Sequence, residues 1–155
     1  MREVLLPVGL ASTIGSLPHT DVDEAVAFVL DSQPRLPAAP SLPRRAPAEG
    51  MIAQAAWGIS GVQVLPDGSL LVDEAAIVPD QPSADGIDGD PFTGLRAFLE
   101  AIAGRVAPFK VQLAGPVTLG LVLHAVGVSR ERAFAVAAQA VSARTRAVLQ
   151  AAREA

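Results

Sequence analysis

Cysteine is absent from these 155 residues, which excludes a disulfide framework, a thiolate metal site and a cysteine nucleophile built from this chain alone. Lysine is nearly absent. Lys110 stands beside eleven arginines, and sixteen acidic residues outnumber these cations for a net charge of -4. That balance supplies no basic face for a phosphate backbone, so nucleic acid is not an expected partner. Long apolar runs are missing too. The longest, residues 113–128, contains Pro116, Gly120 and His124 and falls short of the about 20 residues that a bilayer-spanning helix needs. The apolar opening, residues 1–11, has almost no basic start and is broken by Pro7 and Gly9. With no small-x-small cleavage pattern, it reads as a buried strand rather than a signal peptide. The expectation is a cytoplasmic chain with no membrane partner.

Half of the residues are apolar, enough for one domain with a buried sheet. Residues 4–14 read as a strand buried on both faces, followed by a loop at 16–20. Thr20 is placed to cap a helix starting at Asp21, with Asp23 where a capping carboxylate would stand and Val22, Val26, Val29 and Leu30 on one face. Pro34 stops that helix. The proline-rich stretch 34–47 includes Leu36, Ala38, Ala39 and Leu42, which suits a short extended segment. A helix is expected over 49–58. Residues 62–65 and 69–72 flank Pro66, Asp67 and Gly68, a hairpin pattern.

Turn formers and acids make 78–91 an exposed loop, and 91–104 a helix with Phe92, Leu95, Phe98, Leu99 and Ile102 inward. Residues 109–113 read as a second buried strand, with a helix following within 117–126. Ser129 opens a last helix whose predicted inward stripe is Phe134, Ala138, Val141, Thr145, Val148 and Ala152, with Arg132, Gln139, Arg146 and Arg153 opposite. That helix runs toward residue 155 without a glycine cap or proline, a pattern that predicts a truncated coding region. The alternation of buried strands and helices predicts a parallel α/β architecture. Three such strands cannot close a barrel.

Ser12 to Thr20 is the most informative stretch. A glycine at the C-terminal end of a parallel strand lets a ligand approach the backbone, and the amides and hydroxyl of Gly15 and Ser16 can hold a carboxylate or amino group. A strand-to-helix turn that binds nothing fits the same spacing. His19, in the same loop, is a possible substrate contact, although it has no acidic companion at ligand spacing. His124, in an apolar helical stretch, reads as a satisfied core or interface residue. Trp57 and Met51 fit a helix face packing on a sheet. Asp85, Asp88 and Asp90 lack the twelfth-position acid of a calcium loop and read as a solvated turn. Arg44 and Arg45 read as a surface pair.

Ile14-Gly15-Ser16-Leu17-Pro18 resembles the Ile-Gly-Ser-Phe-Pro loop in the barrel of cobalamin-independent methionine synthases. Leu113-Ala114-Gly115-Pro116-Val117-Thr118 is similar to their Thr-Gly-Pro-Val-Thr stretch, and the order agrees. The likeness runs over most of the 155 residues. It implies the methionine synthase and uroporphyrinogen decarboxylase superfamily and a methyltransferase of methionine biosynthesis, in which a zinc-bound homocysteine thiolate accepts a methyl group from a methylated folate. Residues 1–155 would then be a single partial domain: the N-terminal part of an incomplete (β/α)8 TIM barrel, parallel strands alternating with helices, with a small β-hairpin insertion. The matching loop of that family contacts the amino-acid part of homocysteine, which marks Ile14, Gly15 and Ser16 as substrate-binding positions.

The departures bear on activity. The family's zinc ligands, a His, two Cys and a Glu, belong to later strands, and a chain with no cysteine offers no substitute set. The Glu of the family's His-Gly-Glu segment should fall near Arg45, where no carboxylate stands, and the Trp after its Gly-Pro-Val-Thr stretch corresponds roughly to Val122. Neither zinc nor methyl transfer is therefore expected of this chain by itself, and no catalytic residue is assigned. The rival expectation is a truncated, non-catalytic α/β module that binds a small carboxylate or a partner chain. Uncovered strand edges would favour self-association.

Overall fold

The computed structural model describes residues 9–78 and 86–155. The expected strand at 4–14 lies partly outside them. Within them, residues 9–14 form no strand and Ile14 is 67% exposed. Backbone pairing begins two residues later, at Ser16, because that is where the neighbouring segment lies alongside.

Helix α1 (Val22–Ser32) buries Ala25, Val26 and Val29 and is capped by Asp21, whose carboxylate accepts from the Glu24 amide at 2.9 Å. Asp21 supplants Thr20 because its short carboxylate reaches the third amide of the first turn, which leaves Asp23 exposed. The helix ends before Pro34, where a preceding residue disfavours helical backbone. A 3-10 turn (Pro47–Glu49) leads into the short α2 (Met51–Ala56). The hairpin follows as β1 (Val62–Val64) and β2 (Leu70–Val72), antiparallel with Gln63 opposite Leu71. Asp67 turns it by accepting from the Ser69 amide, with Gly68 at φ 83°.

In the expected loop 78–91, Ile87 packs on the core and Asp90–Phe92 forms a 3-10 turn. Helix α3 (Thr93–Ala101) follows, and Phe92, Leu95, Phe98, Leu99 and Ile102 are all buried. Pro116 begins α4 (Pro116–Ala125), matching the proline preference of a first helical position. Helix α5 (Arg130–Glu154) carries a corrected face. It buries Ala133, Val136, Ala137, Ala140, Ala143, Arg144 and Val148, whereas Ala138 and Thr145 are exposed. Ala133, Val136, Ala137 and Ala140 pack with Leu119 and Leu123 of α4 and with α2. Phe134 of the predicted stripe stays half-buried at the rim of this contact, against Gly120, where a Cβ would lie 2.9 Å from its ring.

The architecture is mixed α/β. Among the described residues, the regular sheet is the antiparallel hairpin alone. Three extended segments, 14–17, 37–41 and 109–113, nevertheless lie side by side. They are joined by parallel bridges, Ser16 with Ser41 and Ala38 with Lys110. One core cluster joins Leu17, Ala39, Phe109, Val111 and Leu113 of these segments to Val29 of α1, Phe98 of α3 and Val148 of α5. The three helices therefore cover the same side of the segments. A second cluster gathers α2, the hairpin, α4 and the first half of α5 around Ala56, Leu119, Leu123 and Ala137. Segment 109–113 is only half-buried, contrary to expectation, because among the described residues no strand covers its outer edge. No helix of the described residues is long and apolar enough to cross a membrane.

Candidate functional site

Segment 14–17 turns at Gly15, whose φ of 90° lies in the region that favours glycine. A side chain there would also overlap the Gln112 amide and the Ala39 carbonyl. The Gly15 carbonyl accepts from the Ser41 amide at 2.9 Å, and the Leu17 amide donates to the Ser41 carbonyl at 3.0 Å. The approach to this loop is held from both sides. Thr13 exchanges hydrogen bonds with the Gln33 side chain, and the Lys110 ammonium donates to the Thr13 carbonyl. Gln112 donates to the Ala39 carbonyl at 2.7 Å beneath Gly15.

Of the residues assigned to substrate binding, Ile14 and Ser16 are exposed and Gly15 is buried. Among the described residues neither Ser16 nor the Gly15 amide has a hydrogen-bond partner. Those donors can meet a carboxylate. His19 is half-buried, its ring 5.2 Å from the Phe28 ring, and its Nδ1 is buried without a partner among the described residues. It is thus fixed against α1 by an aromatic contact.

A second polar cluster stands at the end of segment 37–41, and the sequence reading passed over it. Glu49 is fully buried. One carboxylate oxygen accepts from the Leu42 amide at 3.0 Å and the other from Arg45 Nε at 2.7 Å. Arg45 also lies 3.5 Å from Asp90. Burial alone would lower the Arg45 pKa, but the bond to Glu49 and the charges of Glu49 and Asp90 outweigh it and raise it. Arg45 is therefore a half-buried residue tied to Glu49 and Asp90, whereas Arg44 is exposed. The four-residue spacing from Arg45 to Glu49 was the available signal. Both oxygens of Glu49 are thus engaged within the protein.

His124 corrects its expectation in part: it is satisfied, Nδ1 lying 2.9 Å from the Val128 carbonyl, yet it is exposed. Trp57 is half-buried and packs on the helix-covered core as expected, whereas Met51 is 37% exposed. Asp85 lies outside the described residues, and Asp90 serves Arg45. Zinc does not fit these residues: the chain has no thiolate, and among the described residues no three of His, Asp and Glu converge.

No family model, characterised protein or solved structure matches this chain.

Proposed function

We propose that the loop at Ile14, Gly15 and Ser16 holds the carboxylate or amino group of an amino-acid thiol such as homocysteine. In this reading the chain is the N-terminal part of a methionine-synthase-like (β/α)8 barrel, whose complete form transfers a methyl group from a folate-type donor. The carrying observation is the left-handed Gly15 in the first of three extended segments, one residue before the parallel bridge of Ser16 with Ser41, with Gly15 and Ser16 donors that no described residue occupies. A glycine there lets a ligand approach the backbone. Gly15 and Ser16 would supply hydrogen bonds to the carboxylate, with His19 alongside. Zinc has no ligand set here, so the role is acceptor holding, without turnover by this chain alone.

Titration of the 15N-labelled chain with L-homocysteine tests the reading. The amides of Ile14, Gly15 and Ser16 should shift together, and Ser16→Ala should weaken the response. Shifts confined to other residues would overturn it. The lack of any cysteine in the chain favours a second reading, a non-catalytic small-carboxylate module. Equal response to L-alanine and L-homocysteine would select that one.

A further inference from the structure

Among the described residues, the parallel segments have two unpaired edges. Both peptide groups of Lys110 face segment 37–41: its amide donates to the Pro37 carbonyl and its carbonyl accepts from the Ala39 amide, each at 2.9 Å. Backbone groups alternate sides along a strand, so those of Phe109 and Val111 turn the other way, where no described residue bonds them. At the opposite edge, Ser41 uses both of its peptide groups on segment 14–17. Ser16 therefore turns its own outward.

Each edge lies beside a helix with exposed apolar and charged residues. Beyond 109–113 opens an apolar cavity of about 300 Å3, lined by Phe109, Val111, Leu113, Val148, Leu149 and Ala152. Leu149 is 51% exposed on its wall. Next to Leu149 on α5 stand Arg146 and Arg153, both exposed and neither in an ion pair among the described residues. Helix α1, beside the other edge, has an exposed stripe of Asp23, Ala27 and Asp31, and these acids also lack a described partner. The arginines are seven residues apart and the acids eight, or about 10 and about 12 Å along the two helices.

We propose that a second copy of this chain docks head to tail on this surface. Segment 14–17 of one copy pairs in parallel with segment 109–113 of the next. Helix α1 then covers the cavity beside α5, with Asp23 and Asp31 facing Arg146 and Arg153. The occupant follows from complementarity: one edge presents unpaired backbone beside cations, and the other presents unpaired backbone beside anions. Because the two surfaces differ, the contact is heterologous, and copies add in series until a ring closes. Docking occupies the Ser16 amide, so a ligand held at the same time would have to use the Gly15 amide and the Ser16 hydroxyl.

Sedimentation velocity of the whole chain across a wide concentration range provides the test. Wild type should form a concentration-dependent series of assemblies that added salt weakens. The double variants Arg146→Glu with Arg153→Glu, and Asp23→Lys with Asp31→Lys, should each weaken association by about tenfold or more, since each places like charges together. An equimolar mixture of the two should assemble again, because reversed meets reversed and native meets native. All four positions are exposed, and circular dichroism checks that each variant is folded. Hydrogen exchange should show the Val111 and Ser16 amides gaining protection together on assembly. A monomer at every concentration, assembly indifferent to both reversals, or a mixture that stays dissociated would overturn the proposal.

Discussion

Glu49 shows how a single buried charge organises its surroundings. Its carboxylate is taken wholly out of water and is held by one backbone amide and one guanidinium. A buried ion pair adds little net stability when intact, but removing one partner leaves the other groups unsatisfied. Glu49→Ala would strand the Leu42 amide and release Arg45 from its Nε contact. The expected cost is about 2 to 4 kcal/mol, toward the low end because Arg45 keeps some access to solvent. Arg45→Met should also destabilise, since it leaves a buried carboxylate with the Leu42 amide alone. Urea unfolding of both variants measures this, and a Glu49→Ala protein as stable as wild type would mean that the carboxylate is not buried in solution.

The junction of elements before α5 responds to acid. Glu74, in the 3-10 turn Glu74–Ala76 after the hairpin, is held by the hydroxyl and then the amide of Ser129 at the α5 N-terminus, and these bonds lower its pKa. Ser129 thus starts α5 without capping it by its own side chain. A carboxylate with a depressed folded pKa contributes stability that is fully present above its unfolded value and is lost as pH falls through the folded one. Glu74→Gln should therefore melt below wild type at neutral pH, and the gap should close as pH falls through the depressed folded pKa of Glu74, below the usual carboxylate range. The gap should be modest and should shrink with salt, because Glu74 is solvent-accessible. A gap that persisted at low pH would assign the loss to packing instead of charge.

The same elements show where sequence reading succeeds. The hairpin and α3 were legible because Pro66-Asp67-Gly68 supplies turn chemistry and Phe92 to Ile102 follows helical spacing without ambiguity. The face of α5 was not. Alanines stand on both of its sides, so the stripe of Phe134, Val141 and Val148 dominates any hydropathy pattern. The smaller face is chosen by what lies across from it, α2 and Leu119 and Leu123 of α4, which are distant in sequence. At the candidate site, the glycine and serine were legible from their place after an apolar run. The Arg45 and Glu49 pair was not, because it sits among prolines, where no periodicity marks a side chain as inward. Gln112, which fills the space a side chain at Gly15 would need, is a contact between segments distant in sequence, and local pattern carries no sign of it.

At the scale of the molecule, α5 joins two hydrophobic clusters. Its first half packs with Ala56, Leu119 and Leu123, and Val148 near its end packs with Val29 and Phe98. Arg144 stands between them, buried, donating to the Trp57 carbonyl and lying 4.5 Å over the Phe92 ring. Trp57 ends α2, whose Ala55 and Ala56 belong to one cluster, while its ring packs on the other. Two cores that share one helix and one buried cation should unfold as a unit. Thermal melting followed by Trp57 fluorescence and by helical ellipticity should therefore give coincident transitions. Arg144→Ala removes both the carbonyl bond and the ring contact, and should let the Trp57 signal change at a lower temperature than the ellipticity. Separate transitions already in the wild-type chain would mean that α5 spans the two clusters without coupling them.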